Sequence, residues 1–296
     1  MQASTQPFQP DTEGVWFDLP ADVYHAAPGV SQSTLKAFDE AGTPKHFKAA
    51  KPRVATEDME FGSISHTAIL QPEFLATAYH IPPTHYPAKG KKGEPDIEKP
   101  WHGGADFCKQ WVKEHSDRPI IDREQESRLP KIVASVTKLE PFGSALKNGQ
   151  REVSFFKRDE LTGLLLKCRP DLIAHAQDGS TWLFDPKKVQ PGEATEKAFQ
   201  YAVLDYGYHI QAASYLSITG ASGFVFVPFD DDEPFDSIQW PLSREFLELG
   251  MIEYRRILAA YARCVESNEW PGYRPGMAEL PISRKGQARL KELQGA

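Results

Sequence analysis

Cysteine is scarce in this 296-residue chain: Cys108, Cys168 and Cys264 are odd in number and far apart. No CxxC or Cys/His spacing occurs, so no zinc site is expected. A reduced, cytoplasmic compartment is the expectation. Long apolar runs are also missing. None approaches the ~20 residues that cross a bilayer, so no membrane partner is expected. The opening stretch MQASTQPFQPDTEG has neither a basic start nor an apolar centre and does not read as a signal peptide. Positive charge is not in excess: 34 Lys and Arg stand against 41 Asp and Glu, for a net charge of −7. On charge alone this argues mildly against a nucleic-acid partner. A local basic surface, or metal ions in an acidic site, can still receive phosphate. No internal repeat is visible.

What is present is an ordinary globular composition, 40% hydrophobic and 25% charged, in a chain long enough for one large domain or two small ones. Residues 1–14 are polar and read as a flexible N-terminus. Ser31 or Ser33 is a plausible N-cap for a helix over TLKAFDEA. EDMEFGSISHTAILQPEFL (57–75) reads as a second helix with Phe61, Ile64, His66, Ile69 and Leu70 towards its apolar side. Residues 80–100 are rich in Pro, Gly and Lys and read as an exposed loop, whose run KGKKG is a solvated tip or a phosphate contact. Two or three helical patterns fill 102–148. From 151 the pattern changes to short β-branched and aromatic runs between turn signals. A long helical segment from about Glu193 to Thr219, a strand GFVFVPF, and an amphipathic helix SREFLELGMIEYRRILAAYARCVES follow. The expected fold class is α/β of mixed α+β character: a central mixed sheet flanked by helices, with a helical N-terminal part. The expected organisation is one domain over 15–275, helical to about 150 and sheet-bearing from 151, with a C-terminal tail at 276–296 holding a short basic helix.

The segment LLLKCRPDLIAHAQDGSTWLFDPKKV (164–189) carries charges where a sheet should be apolar. It reads as two strands joined by a three-residue loop, Gln177-Asp178-Gly179, with Gly179 in the left-handed position. Ala176 then faces Ser180, and Asp171 faces Asp185. Paired side chains share a face, and Lys187 and Arg169 lie two residues along on it. Two facing carboxylates repel unless something lies between them. Hard oxygen ligands suit Mg²⁺ or Mn²⁺, and a lysine alongside could orient or deprotonate a water. The competing reading is an Asp–Lys–Arg salt-bridge cluster on an exposed sheet face. Pro186 removes a ladder donor and suggests an irregular strand, while its carbonyl is available as a further metal ligand. Arg169 either contacts phosphate or pairs with Asp185.

RPD, thirteen residues and then DPK has the form PD-x(n)-D-x-K, which resembles the PD-(D/E)xK nuclease superfamily. YHIQAASY puts Gln211 and Tyr215 at i and i+4 on one helix face and looks like the QxxxY motif of the RecB-like branch. FGSISHTAIL places His66 on a helix after a glycine, similar to that branch's helical histidine. Together with YHAAPGVSQSTLKAF, EVSFF…GLLLKCRPD, DYGYHIQAASY and WPGY (270–273), the order of motifs resembles a RecE-type exonuclease domain of phage and prophage recombination, over about residues 15–275.

The resemblance implies a Mg²⁺-dependent exonuclease, with Mn²⁺ as a substitute, that resects the 5′-ended strand of duplex DNA ends and leaves 3′ overhangs. It implies a single-strand annealing protein as partner, a ring-like homo-oligomer, and a phage- or prophage-encoded protein in a bacterial cytoplasm. Asp171, Asp185 and the Pro186 carbonyl would hold metal, with His66 as ligand or neighbour and Glu152 in contact through water. Lys187 would position the attacking water, and Gln211 and Tyr215 would orient the strand or the catalytic groups. The alternatives are a catalytically silent or weak DNA-end-binding module of the same fold, and a PD-(D/E)xK endonuclease of restriction or repair. Apart from the resemblance, His66 could be a core histidine, and Tyr201, Tyr208 and Tyr215, at seven-residue spacing, a packing stripe.

Overall fold

The computed structural model describes residues 4, 7–51, 55–90, 96–277 and 279–294. Parts of two expectations lie outside these residues: Lys91, Lys92 and Gly93 of the KGKKG run, and several positions of the N-terminal stretch. Strand β1 (Gly14–Trp16) leads to helices α1 (Ala21–Ala26), α2 (Gln32–Glu40) and α3 (Pro44–Ala49). Ser31 is the cap of α2; its Oγ accepts from Thr34 N at 3.2 Å. Thr56 caps α4 (Glu57–Leu70) in the same way, and three acids in the first turn suit the positive end of the helix dipole. This helix stops before Pro72, shorter than expected, and a short α5 (Leu75–Ala78) follows.

The expected loop at 80–100 contains structure. Strands β2 (His85–Ala88) and β3 (Ile97–Pro100) pair antiparallel into a small hairpin. Helices α6 (Asp106–Glu114), α7 (Arg123–Thr137) and α8 (Phe142–Asn148) come next, α7 opening on a capping box of Asp122 and Gln125. Then come β4 (Gln150–Arg151), β5 (Ser154–Arg158), β6 (Leu165–Cys168), β7 (Leu172–His175) and β8 (Thr181–Val189). Helices α9 (Glu196–Asp205) and α10 (Tyr208–Thr219) cross over to β9 (Gly223–Asp230), followed by β10 (Trp240–Pro241), α11 (Arg244–Ser267) and α12 (Arg284–Gln294). The expected single helix over 193–219 is therefore two. Gly207 breaks it at φ 66°, a left-handed conformation that glycine adopts without steric cost.

The central sheet has the order β10-β9-β8-β7-β4, and β8 and β9 run parallel while the other pairs are antiparallel. A second sheet has the order β1-β5-β6. The sheet is thus mixed, as expected, and the parallel pair is what requires the α9–α10 crossover. Alternation along the strands divides the core in two. Ile173, Leu183, Phe224 and Phe226 pack with residues of α9, α10 and α11, while Leu172, Phe184, Val225 and Val227 pack with residues of α4, α7 and α8. Every residue of β9 is buried, as expected of a central strand covered on both faces.

The register read from the QDG loop is the register that forms. His175 pairs with Thr181 and Leu172 with Phe184, with Ala176 N bonded to Ser180 O at 2.8 Å and Gly179 at φ 84°. The first arm, however, is not one strand. It leaves the second sheet at Cys168, turns through Arg169, Pro170 and Asp171, and enters the central sheet at Leu172. The expected irregularity at Pro186 is also absent: β8 pairs with β9 without interruption from Trp182 to Val189. The pairing with β7 ends at Phe184, so the missing N–H of Pro186 falls where β8 has a strand on one side only.

Candidate active site

The break at Arg169–Asp171 opens the space in which the charged residues meet. Asp185 and Lys187 follow Leu183 at steps of two and so face α10. Lys188 points to the other side, where its Nζ binds Asp58 at 2.6 Å and Asp231 at 2.9 Å. Continuing the ladder by one residue puts Asp171 opposite Asp185. Asp171 Oδ2 lies 2.8 Å from His66 Nε2 of α4. Glu152 sits between β4 and β5 at φ 53°, and its N–H reaches Asp171 O at 3.2 Å. Its side chain lies 3.9 Å from His66 Nδ1 and accepts from Arg169 Nε at 2.8 Å. Arg169 therefore pairs with Glu152 and not with Asp185.

Asp185 is buried, 2% exposed. Gln211 Nε2 donates to its Oδ2 at 2.6 Å, and the Lys187 ammonium donates to Oδ2 at 3.1 Å. That ammonium lies 2.8 Å from Oδ1, but Oδ1 accepts no hydrogen bond of acceptable geometry. Tyr215, one turn after Gln211, lines a cavity of about 600 Å³ together with His66, Glu152, Asp171 and Arg169. The helix thus presents both residues to the site. Tyr201 does not join them: it is 62% exposed, and the break at Gly207 takes it out of the stripe that its spacing suggested.

Burial favours a neutral imidazole at His66, but the carboxylates of Asp171, Glu152 and Asp185 outweigh it and raise its pKa to about 9. Burial raises Asp185 to about 6, opposed by Lys187 and assisted by Asp171. Burial and Asp171 likewise raise Glu152, against His66 and Arg169. Burial works against the Lys187 ammonium, but Asp185, Asp171 and Tyr208 hold it charged above the ordinary lysine value. In the metal-free protein Lys187 is therefore a cation and hydrogen-bond donor. Burial also raises the Tyr215 phenol well above its usual value, so it remains a neutral hydroxyl.

One ligand atom each from His66, Glu152 and Asp171 lie within 4.8 Å of one another, a nitrogen and two carboxylate oxygens of the kind a hard divalent cation takes. By the chemistry of this donor set these residues fit a metal. The converging set is centred on Glu152 and His66 more than on the Asp171–Asp185 pair that the hairpin alone suggested. Among the described residues this is the one such group found.

Lys167 escaped the sequence reading. In β6, 7% exposed, it donates to the carbonyls of Tyr24, His25 and Ala27 at 2.9, 3.2 and 2.7 Å, and so fixes the end of α1 against the cavity. Arg169 Nη1 adds a bond to Leu19 O at 3.1 Å. The only available signal was a lysine inside an apolar strand.

A mixed sheet with these residues on its central hairpin and crossover helix defines a PD-(D/E)xK-like fold. The chain belongs to the family described as PDDEXK-like domain of unknown function (DUF3799), which it matches over residues 31–281. It is similar to the crystal structure of a protein from Eubacterium rectale provisionally named an exonuclease. That likeness has a TM-score of 0.52 and 17% identity, and it covers 90% of this chain and 96% of the other. A second likeness, to an alkaline exonuclease of Laribacter hongkongensis, covers 56% of this chain and 86% of the other at 13% identity. Its TM-score of 0.26 carries no argument. No curated protein matches the chain. Among the described residues, no helix is long and apolar enough to cross a membrane.

Proposed function

We propose that the chain is a divalent-metal-dependent nuclease. In finer terms, it is an exonuclease that resects the 5′-ended strand of duplex DNA and leaves a 3′ overhang for recombination. The observation that carries this reading is the convergence of His66, Glu152 and Asp171 beside a lysine held charged on Asp185. The Glu152, Asp171 and Asp185 carboxylates and His66 would hold Mg²⁺ or Mn²⁺, and the Pro186 carbonyl is available as a further donor. When bound, the ion supplies Lewis-acid stabilisation of the phosphoryl oxygens and acidifies a water. Lys187 adds a fixed positive charge for the developing negative charge on the phosphate and a donor to orient the nucleophile. Gln211 holds Asp185 in place, and Tyr215 offers a neutral hydroxyl to the cavity. Asp185 and Lys187 lie on β8, and His66, Gln211 and Tyr215 on helices, which supports catalysis because rigid elements hold geometry better than loops. A single-strand annealing partner and a ring-like oligomer go with this reading.

The test is digestion of linear duplex labelled at the 5′ or the 3′ end, with Mg²⁺ or EDTA, beside covalently closed plasmid. Metal-dependent release of nucleotides from the 5′ end, with closed plasmid intact, is the expected result. Nicking of closed plasmid would make the protein an endonuclease, and binding without release would make it a silent end-binding module. Asp185→Ala and Lys187→Ala should each lower digestion about 10²-fold or more while circular dichroism stays unchanged. Full activity in either variant overturns the assignment.

A further inference from the structure

On the crossover side of Lys187 lies a row of two rings ending in a second cation, none of which the hydrolysis itself uses. The Lys187 ammonium, besides binding Asp185, lies 4.9 Å from the centre of the Tyr208 ring. The Tyr208 ring is 5.6 Å from that of Tyr206, at 36° between planes. Tyr206 is 56% exposed. The Lys36 ammonium of α2 lies 6.0 Å from the same ring centre and 3.7 Å from Glu40 at the end of its own helix. The order is ammonium, ring, ring, ammonium, with Tyr206 the member open to solvent.

Tyr206 is held firmly for an exposed residue. It is the C-cap of α9, with its N–H bonded to Ala202 O at 2.9 Å. Its carbonyl accepts from Lys36 Nζ, also at 2.9 Å. The left-handed Gly207 that follows turns the chain so that α10 can carry Gln211 to Asp185. A ring fixed at such a break and more than half exposed is pre-organised for stacking.

We propose that Tyr206 is a stacking platform for a nucleobase of the strand whose phosphodiester is cut, with Lys36 and Lys187 receiving the phosphates on either side; this rests on the nuclease reading above. Charge complementarity selects the occupant. A base with a phosphate on either side matches a pair of rings with an ammonium at each end, and stacking on tyrosine takes any base because every base has a π-face. Proximity agrees: the contacts from Asp185 to Tyr206 span no more than about four nucleotides stacked at ~3.4 Å each. A duplex interior offers no free base face, so the platform acts on a frayed or single-stranded end.

The experiment uses the full chain and a set of duplexes with 2-aminopurine at each of the first four positions from the 5′ end. Fluorescence is read in EDTA and with Ca²⁺, and steady-state digestion is read with Mg²⁺. At one of these positions, quenching on binding should occur with the parent and with Tyr206→Phe, and should be lost in Tyr206→Ala and Tyr206→Leu. In digestion, the last two should raise KM about tenfold and leave kcat within about twofold, the size expected for one base–aromatic stack. Tyr201→Ala, an exposed tyrosine on the preceding helix, should behave as the parent. Equal quenching and equal KM in parent and Tyr206→Ala overturn the platform while the nuclease reading stands. Parent protein that binds the duplex with quenching but releases no nucleotide overturns the nuclease reading and keeps the platform as a DNA-end contact. Failure of the parent to bind DNA overturns both.

Discussion

Gly250→Ala should damage both the fold and the site, against the expectation from helix propensity. Gly250 lies in the first half of α11, where alanine in place of glycine normally stabilises a helix by about 1 kcal/mol. Here a Cβ would lie 2.7 Å from the carbonyl carbon of His209, closer still to its oxygen, and 3.3 Å from Ala213 Cβ. Carbon atoms pack at about 3.5–4.0 Å, so α10 and α11 would have to part by roughly 1 Å. The obstacle is backbone, which cannot rotate away as a side chain can. His209 is itself fixed, with Nδ1 at 2.9 Å from Val203 O and Nε2 at 2.8 Å from Glu253. Overpacking of this kind costs about 1–3 kcal/mol, and more where backbone must move. Net of the propensity gain, a loss of about 2 kcal/mol is expected, which for a chain of this length lowers Tm by about 3 °C. The functional effect should be larger, because Gln211 is two residues from His209 and bonds Asp185 at only 2.6 Å. A displacement near 1 Å at that distance breaks the bond, and misplacement of this size can cost about 10²-fold in rate. Differential scanning fluorimetry and the duplex-digestion assay measure the two effects. Gly103→Ala, where a Cβ meets nothing within 4 Å, is the control. An unchanged or raised Tm for Gly250→Ala would refute the close approach of the helices. A lowered Tm with parental digestion would refute the link through α10 to Asp185.

Two further outcomes concern protonation. In the metal-free protein the His66 imidazole should titrate near 9 by NMR, and Asp171→Asn should bring it down towards 6.5. A folded-state pKa raised above the unfolded value gives stability that is present below about 6.5 and lost as pH rises through about 9, so the metal-free Tm should fall across that window, and less in the variant. Asp159 behaves in the opposite sense: burial opposes its charge, but Arg255 and the Thr162 N–H and hydroxyl hold its carboxyl below the ordinary value. Its contribution is present above about pH 4 and lost as pH falls through the lower folded value, so Asp159→Asn should flatten the acid limb of a Tm-against-pH curve; an unchanged limb would assign acid unfolding to other carboxylates.

Local chemistry was legible in the sequence, and the partners of each segment were not. The QDG loop fixed a register because a three-residue loop with a left-handed glycine leaves one pairing, and that pairing formed. Gln211 and Tyr215 share a face because one turn of helix separates them, wherever the helix packs. The sheet change at Arg169–Asp171 depends instead on β5 and on Val30, which bridges Leu166, and these lie far away in sequence. Both halves of LLLKCRPDLIAHA have strand chemistry, so periodicity cannot mark where one sheet ends. Tyr201 misled for a related reason. A seven-residue spacing implies a shared face only in an unbroken helix, and Gly207 resets the phase before Tyr208. The Arg169–Glu152 pair needed the same long-range information, since Glu152 is brought there by its position between β4 and β5.

The break also explains how the hairpin tolerates its acids. In a continuous ladder Asp171 and Asp185 would stand directly opposed, a destabilising arrangement for like charges. By starting β7 only at Leu172, the chain lets Asp171 turn to His66 and leaves Asp185 to Lys187 and Gln211. Each acid then has its own counter-charge, and Glu152 has Arg169. The net charge of −7 is thus a poor guide to what this surface can receive. In the metal-free protein the site's three acids are matched one for one by His66, Lys187 and Arg169, and Lys167 adds an ammonium bound to carbonyls nearby. Counted locally, the metal-free cleft is not acidic, and its cations are fixed in place by the carboxylates they neutralise.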